Sequence, residues 1–413
     1  MKSKKMMAML LSAVMCTGVF GVNVQADAED EVTLTFGFWG DDAEAQMKMR
    51  LAEAYMEEHP NVKIEYEYCS GADETPDVFG ISNDHLIAFE DSELFEDLTP
   101  YIEEDNLQDL WDYDAVKSNY TIENGRLTAV PFVSKTFAMA YNKDLFDQAG
   151  VDYPTSDWTE EDMLDAAEKI NALGDDIYGL RWGVRVPEFY RGLYGDMYYN
   201  YEDKTMNVVD NASFKSAVTM FSDSILNGLA PDETSGTIST GGFETGNYGM
   251  ALSATWDIAV YENTIGDSFA WDVVELPMNT EYNTRWKTTL RANGWSMSAN
   301  AENKEVCWDF MKFLSTSEKA AEEAATIGIP TLKSYIESDE YMNDYGDGTA
   351  YNKQVFINML NDTVPLFNLG AFAEVNDLAK SDYESVLAGS MTVDDMISDL
   401  DTQGSSIFAS YGD

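Results

Sequence analysis

The chain has 413 residues, 45% hydrophobic and 13% aromatic, with 75 acidic against 25 basic side chains and a formal net charge of −50. Such a field repels phosphate backbones and anionic lipid, which excludes nucleic acid as a partner and favours a dispersed monomer. The length exceeds what one hydrophobic core usually serves, so two domains are expected.

Met1-Lys2-Ser3-Lys4-Lys5 is a basic leader to an apolar run from Met6 to Phe20, and Val24-Gln25-Ala26 offers small residues for cleavage. Residues 1–26 read as a secretory signal peptide, too short to span a bilayer as an ordinary helix. Cleavage after Ala26 is favoured over lipid attachment at Cys16, because Met15 stands where a lipid-transfer site wants a small residue. The mature chain is expected outside the cytoplasm, at the cell surface. Losing the signal removes three lysines and no acid, leaving 22 basic against 75 acidic residues, a net of −53. Cys69 and Cys307 remain; export permits a disulfide between them, and two small buried hydrophobes is the blander alternative.

Val32 to Trp39 alternates and is rich in β-formers, a first strand. A helix follows from about Ala43 to Glu58, with Met47, Leu51, Ala54 and Tyr55 on one face. His59-Pro60-Asn61 ends it, Val62 to Tyr68 is a second strand, and Asp77 to Ile81 a short third. This order predicts a parallel sheet with helices on its faces. Only Cys69 to Pro76 separate the second and third strands, fewer residues than a parallel crossover needs. The second strand therefore pairs differently, or the sheet is trimmed at that edge.

An apolar run from Val130 into Tyr141-Asn142-Lys143, then a helix closing at Gly150, delivers the chain to a second body. There, Thr159 caps a helix through Leu173, Gly179 to Val184 is a strand, and Ser213 to Leu226 a helix. Gly249 to Asp257 reads as a strand running into a loop, and Trp271 to Pro277 as another strand. Asn293 to Ser298 returns the chain to the first body, where a helix from Glu302 to Leu314 follows. The tail from about Tyr341 to Tyr411 is helical.

Three pieces, Tyr141-Asn142-Lys143, Ala254-Thr255-Trp256-Asp257 and Asn293-Gly294-Trp295, resemble in order and spacing the bacterial extracellular solute-binding proteins of the sugar-binding, maltose-binding-protein-like type. The resemblance spans nearly the whole mature chain. It implies an α/β, two-domain periplasmic-binding-protein-like (type II) fold, each domain a mostly parallel sheet flanked by helices, with the ligand cleft at the hinge. An N-terminal lobe of residues 27–140 plus 290–338 and a C-terminal lobe of 141–289 plus 339–413 follow from it. It also implies ABC permease subunits and a cytoplasmic ATPase as partners, a carbohydrate ligand of oligosaccharide size, and no cofactor. Members of the family place a helix between the second and third strands, for which this chain has no room.

The residues themselves point away from catalysis. The sequence has no Gly-x-Ser-x-Gly elbow, no His-Glu-x-x-His and no phosphate-binding glycine loop, and its histidines are His59 and His85. Paired carboxylates could hydrolyse glycosides, but among 75 acids almost any spacing occurs by chance. A secreted glycan-processing hydrolase is the alternative from another class; a binder of the same fold for a non-sugar solute is the other.

Sugars stack their C–H faces on aromatic rings and hydrogen-bond their hydroxyls to Asp, Asn, Glu and Arg. In open α/β sheets such ligands lie beyond the carboxyl ends of the strands. Trp39 and Asp41 hold that place after the first strand, and Asn83 and Asp84 after the third. Ser134, Lys135 and Thr136 lie at the crossover. From the second domain the resemblance implies Glu188, Phe189 and Tyr190 on an aromatic loop, and Trp256 with Asp257 as the stacking platform. Trp295 stands near the hinge. Arg185 and Arg291 are hydroxyl donors or ordinary ion pairs, and Trp182, Trp271, Trp286 and Trp308 read as core.

Overall fold

This computed structural model describes residues 31–38, 42–68, 76–84, 86, 93–122, 125–234, 241–343, 351–365, 367 and 370–411. The first lobe opens with β1 (Val32–Phe38), α1 (Asp42–Glu58), β2 (Val62–Tyr68), β3 (Val78–Ser82) and β4 (Val130–Lys135). The second holds β5 (Phe137–Asn142), α2 (Lys143–Ala149), α3 (Glu160–Asn171) and β6 (Tyr178–Arg181). It continues with α4 (Ala212–Leu226), β7 (Tyr248–Ala254), α5 (Thr255–Ile265) and β8 (Trp271–Val274). β9 (Arg291–Met297), α6 (Lys304–Thr316), α7 (Glu318–Ala325) and β10 (Ile329–Pro330) belong to the first lobe again, and α8 (Ala371–Leu387) and α9 (Val393–Asp399) follow.

The strand orders are β10-β4-β9-β3-β1-β2 and β8-β5-β7-β6. In the first sheet β1 to β4 run one way, with β9 and β10 reversed. In the second, β6, β7 and β8 run together and β5 is reversed. Each sheet thus receives, between its own strands, one strand arriving from the other lobe, and that strand makes antiparallel ladders. Between β4 and β5 stands one residue, Thr136, fully buried, its hydroxyl donating to the Phe356 carbonyl.

The short link between β2 and β3 is explained by register. Tyr68 stands opposite Phe38, and Val78 opposite Phe36, on the other flank of β1. The chain therefore crosses one strand, about 10 Å, and drops back about 7 Å. Residues 69–77 reach roughly 30 Å when extended, which is ample. A long crossover is needed only when the next strand restarts at the foot of the sheet. Asp77 fixes the entry: its carboxylate accepts from the Thr35 N–H at 2.8 Å and hydroxyl at 2.9 Å, and its own N–H donates to that hydroxyl. The second strand is an edge strand paired along its whole length with β1.

Among the described residues four hydrophobic clusters are buried, the two largest forming the main cores of the lobes. In the first, Leu34, Phe36 and Phe38 of β1 meet Met47, Leu51 and Tyr55 of α1 and Phe310, Met311 and Leu314 of α6. Cys307 lies fully buried there as a free thiol, which burial pushes up to about 12; Cys69 is outside the described residues. In the second lobe the period of two along β5 sends Met139 and Tyr141 to one face and Ala138 and Ala140 to the other. Phe372, Val375, Tyr383 and Met396 of the tail helices complete the former face. Trp182, Trp271, Trp286 and Trp308 are buried, as the sequence suggests.

Local signals set the helix ends. The Asn142 side chain accepts from the Asp144 and Leu145 N–H groups to start α2, and Gly150, at φ 65°, ends it where a side chain would be strained. Thr159 and Asp162 form the reciprocal cap of α3.

Candidate functional site

Both crossings between the lobes lie at one place. β4 and β9 pair side by side, Lys135 opposite Arg291 and Ser134 opposite Ala292. Directly opposed residues share a face and neighbours alternate, so Lys135 and Arg291 project together while Ser134, Leu290 and Ala292 face the other way. That other face borders a cavity of about 330 Å³ reached also by Trp111, Tyr120 and Ile357. The face carrying Lys135 and Arg291 lies at the carboxyl ends of β1, β3 and β4, and it is where the charged and aromatic residues of the two lobes meet.

Two like charges opposed across a ladder repel. Here each has acidic partners. Lys135 Nζ is 3.6 Å from Glu44 of α1, both side chains mostly buried. Arg291 lies 3.7 Å from Asp84, which follows β3, and 3.3 Å from Glu188 of the second lobe. Ser82 donates to Asp84 and Thr289 to Glu188, orienting both carboxylates. Asn83 is spent on structure: its amide bridges Asn119 and the Leu290 carbonyl, and its oxygen accepts from the Ala292 N–H.

From the second lobe comes Trp256, half-buried in the first turn of α5. The sequence reading expected a loop after Ala254; the structure has a helix, because the Asp257 carboxylate accepts the Ala254 N–H at 2.7 Å and caps it. The same carboxylate takes Arg185 at 2.8 Å, and Arg185 also donates to the Leu252 carbonyl. Phe137, wholly buried, meets the Trp256 ring edge-on at 5.4 Å. The Lys135 ammonium and the Arg185 guanidinium lie 5.8 and 5.7 Å from its centroid. Behind Arg185 a second pair is more deeply buried: Arg181 sits 3.2 Å from Glu233, whose side chain is fully enclosed and whose carboxyl is pushed up by burial.

Two expected wall residues are core instead. Tyr190 is fully buried, its ring against Phe214 and Tyr383, because the helical turn Val186–Phe189 aims it into the second core. Trp295 is 2% exposed and packs between Phe36 and Phe132 under the first sheet. Its neighbour Gly294 explains the fit: a Cβ there would sit 2.4 Å from the Val130 carbonyl oxygen. Trp39, Asp41 and His85 lie outside the described residues. Glu44, missed in the sequence, carries no local signal beyond its place on the first turns of a helix. Among the described residues no cluster is arranged to hold a metal ion, and no helix is long and apolar enough to cross a membrane.

A family model, the bacterial extracellular solute-binding protein, matches residues 41–321, most of the described chain. The chain belongs to that family. A maltotriose-binding protein of Pyrococcus abyssi is 26% identical over 334 residues, covering 74% of this chain and 69% of the relative. The sugar-binding protein MalE of Xanthomonas citri superposes with a TM-score of 0.78 at 19% identity, covering 92% of this chain and 98% of the other. An ABC substrate-binding protein of Listeria monocytogenes, in complex with cycloalternan, gives 0.75 at 21% identity over 93% and 100%. These likenesses show the fold: this solute-binding protein has the two-domain type II architecture, with Trp256 and the Lys135–Arg291 pair where its lobes join.

Proposed function

We propose that this protein captures a neutral oligosaccharide between its lobes by hinge closure and presents it to an ABC permease. The single observation that carries the reading is Trp256, a half-buried indole at the crossing with hydrogen-bonding charges gathered around it. A sugar ring stacks on such a platform, and Asp84, Glu188, Asp257, Lys135 and Arg185 supply acceptors and donors for its hydroxyls. Each of those charges has an opposite partner. A neutral, hydroxyl-rich ligand suits such a site better than an ion, which would leave one partner unpaired. The maltotriose-binding relative and the cycloalternan complex support the ligand class.

On this reading Trp39 and Asp41 complete the first-lobe wall, residues 1–26 are a signal peptide, the mature protein works as a monomer at the cell surface, and no chemistry is done on the ligand. A thermal-shift screen of the mature protein against mono- and oligosaccharides, polyamines and amino acids tests it. A ligand at about a hundred times its Kd adds about 2.7 kcal/mol. The expected result is stabilisation by an oligosaccharide that is recovered unchanged after incubation. Stabilisation by amines or amino acids alone sinks the carbohydrate reading, and accumulation of cleaved glycan sinks the binding-only reading.

A further inference from the structure

We infer that Arg291 is a positioning residue whose charge holds the two lobes toward each other by neutralising one acid from each. The inference rests on the reading of a cleft that closes. Three separate segments meet at this guanidinium: Asp84 from the end of β3 in the first lobe, Arg291 from the start of the return strand, and Glu188 from the second lobe. The Asp84 side chain is 3% exposed and that of Glu188 15%, so neither charge is well screened by water. Both carboxylates are anchored by hydroxyl donors, Ser82 and Thr289, and cannot simply swing away.

Asp84 and Glu188, on opposite lobes, stand within ion-pair distance of one shared cation. In a chain this acidic, closure works against a general repulsion as well. Arg291, at the start of the return strand, contacts both acids and turns their juxtaposition into an acid–cation–acid bridge. Lys135 cannot take over: it stands opposite Arg291 on the ladder but is directed to Glu44 and Trp256. The bridge is made by protein groups alone, so it sets how far the lobes stand apart before ligand arrives and, through that, affinity.

The test measures the distance between lobes directly, without any ligand. Spin labels at Lys63→Cys and Val209→Cys, exposed positions on the first and second lobes, are read by pulsed electron resonance in a Cys69→Ser background, with Cys307 buried. In Arg291→Met the distance distribution is expected to shift to longer values, and raised salt to reverse part of the shift. Adding Glu188→Gln, which removes one of the two repelling charges, is expected to restore it. Where the screen has found a sugar, Arg291→Met weakens Kd about tenfold. An unchanged distance in Arg291→Met overturns the inference. So does a shift that Glu188→Gln leaves in place, or failure of both chains to fold, since the guanidinium would then act through its packing. The distances stand whether or not the ligand proves to be a sugar.

Discussion

Trp256 and Trp295 are the same side chain near the same crossing, and they live in opposite surroundings. Trp295 lies in the middle of β9, its neighbours along the strand fixed by two ladders, and its ring fills the space between Phe36 and Phe132. Trp256 starts a helix just past the end of β7 and is half-buried there, edge-on to Phe137, with Lys135 and Arg185 over its ring. Position relative to the strand end, more than residue type, decides which indole can meet a ligand. A tryptophan inside a paired strand is claimed by a core; one at a strand-to-helix junction is held at its edge and keeps part of its surface exposed.

The largest effect that tests this contrast is in stability. Trp295→Ala should cost about 3–5 kcal/mol, read as a lowered urea midpoint at an unchanged slope. Trp295→Phe should cost far less, because the buried indole Nε1 has no hydrogen-bond partner among the described residues and its removal relieves that penalty. If Trp295→Phe leaves the midpoint near that of the parent yet abolishes ligand binding, the ring belongs to the site and the contrast fails.

Buried charge offers the same contrast with a pH signature. Asp257 is clamped by Arg185 at the cleft, whereas Asp382 of α8 is 6% exposed and stands against Asp399 of α9. Burial, then the Asp399 charge, push the Asp382 carboxyl up to about 6. The folded form thus prefers the neutral acid: its contribution is complete below the unfolded value near 4 and is lost as pH rises through 6. Asp382→Asn should therefore gain about 2–3 kcal/mol at pH 7.5 and almost nothing at pH 4. Denaturant curves at the two pH values check it; an equal gain at both would show that charge is not the cause.

Trp256→Ala inverts the pattern of Trp295→Ala. Half-buried at the margin of the core, it should lower stability by about 1–2 kcal/mol. Ligand affinity, measured by calorimetry with the sugar found in the screen, should fall about a hundredfold. An affinity unchanged within about twofold would move the platform elsewhere, with Trp39 the next ring to replace.

Much of this was legible in the residues. The strand and helix order and the return at Asn293-Gly294-Trp295 follow from period and turn chemistry; the sequence sets the passage into the second body at Tyr141-Asn142-Lys143, whereas the strands change sheet at Thr136, because one apolar run serves both. The signals for α2 and α3, a capping Asn or Thr and a terminal Gly, act within a few residues and so survive without tertiary context. The link after Tyr68 was misjudged because its length depends on the register between β3 and β1, a non-local quantity. An aromatic near a strand end looks alike in sequence whether it points into a core or a cleft, which is why Tyr190 and Trp295 read as ligand-site candidates and lie in the cores. Glu44, and the role of Arg291 between two lobes, arise only when segments distant in sequence come together.

Glu44 supplies the smallest and most selective test. Its carboxylate, 3.6 Å from the Lys135 ammonium, is the first-lobe group that steadies the cation lying over Trp256. Both side chains are less than one-fifth exposed, yet the distance is long for a direct hydrogen bond, so the pair contributes little of its own. Glu44→Gln should thus change stability by less than about 1 kcal/mol. Its visible consequence lies at the indole: a Lys135 released from Glu44 spends less time over the ring, and Trp256 fluorescence should change in the unliganded protein. The same substitution in a Trp256→Phe background should leave the remaining emission unaltered. A Glu44→Gln spectrum identical to the parent's would mean that Lys135 keeps its place over the ring without Glu44, and that the first lobe reaches Trp256 through Lys135 alone.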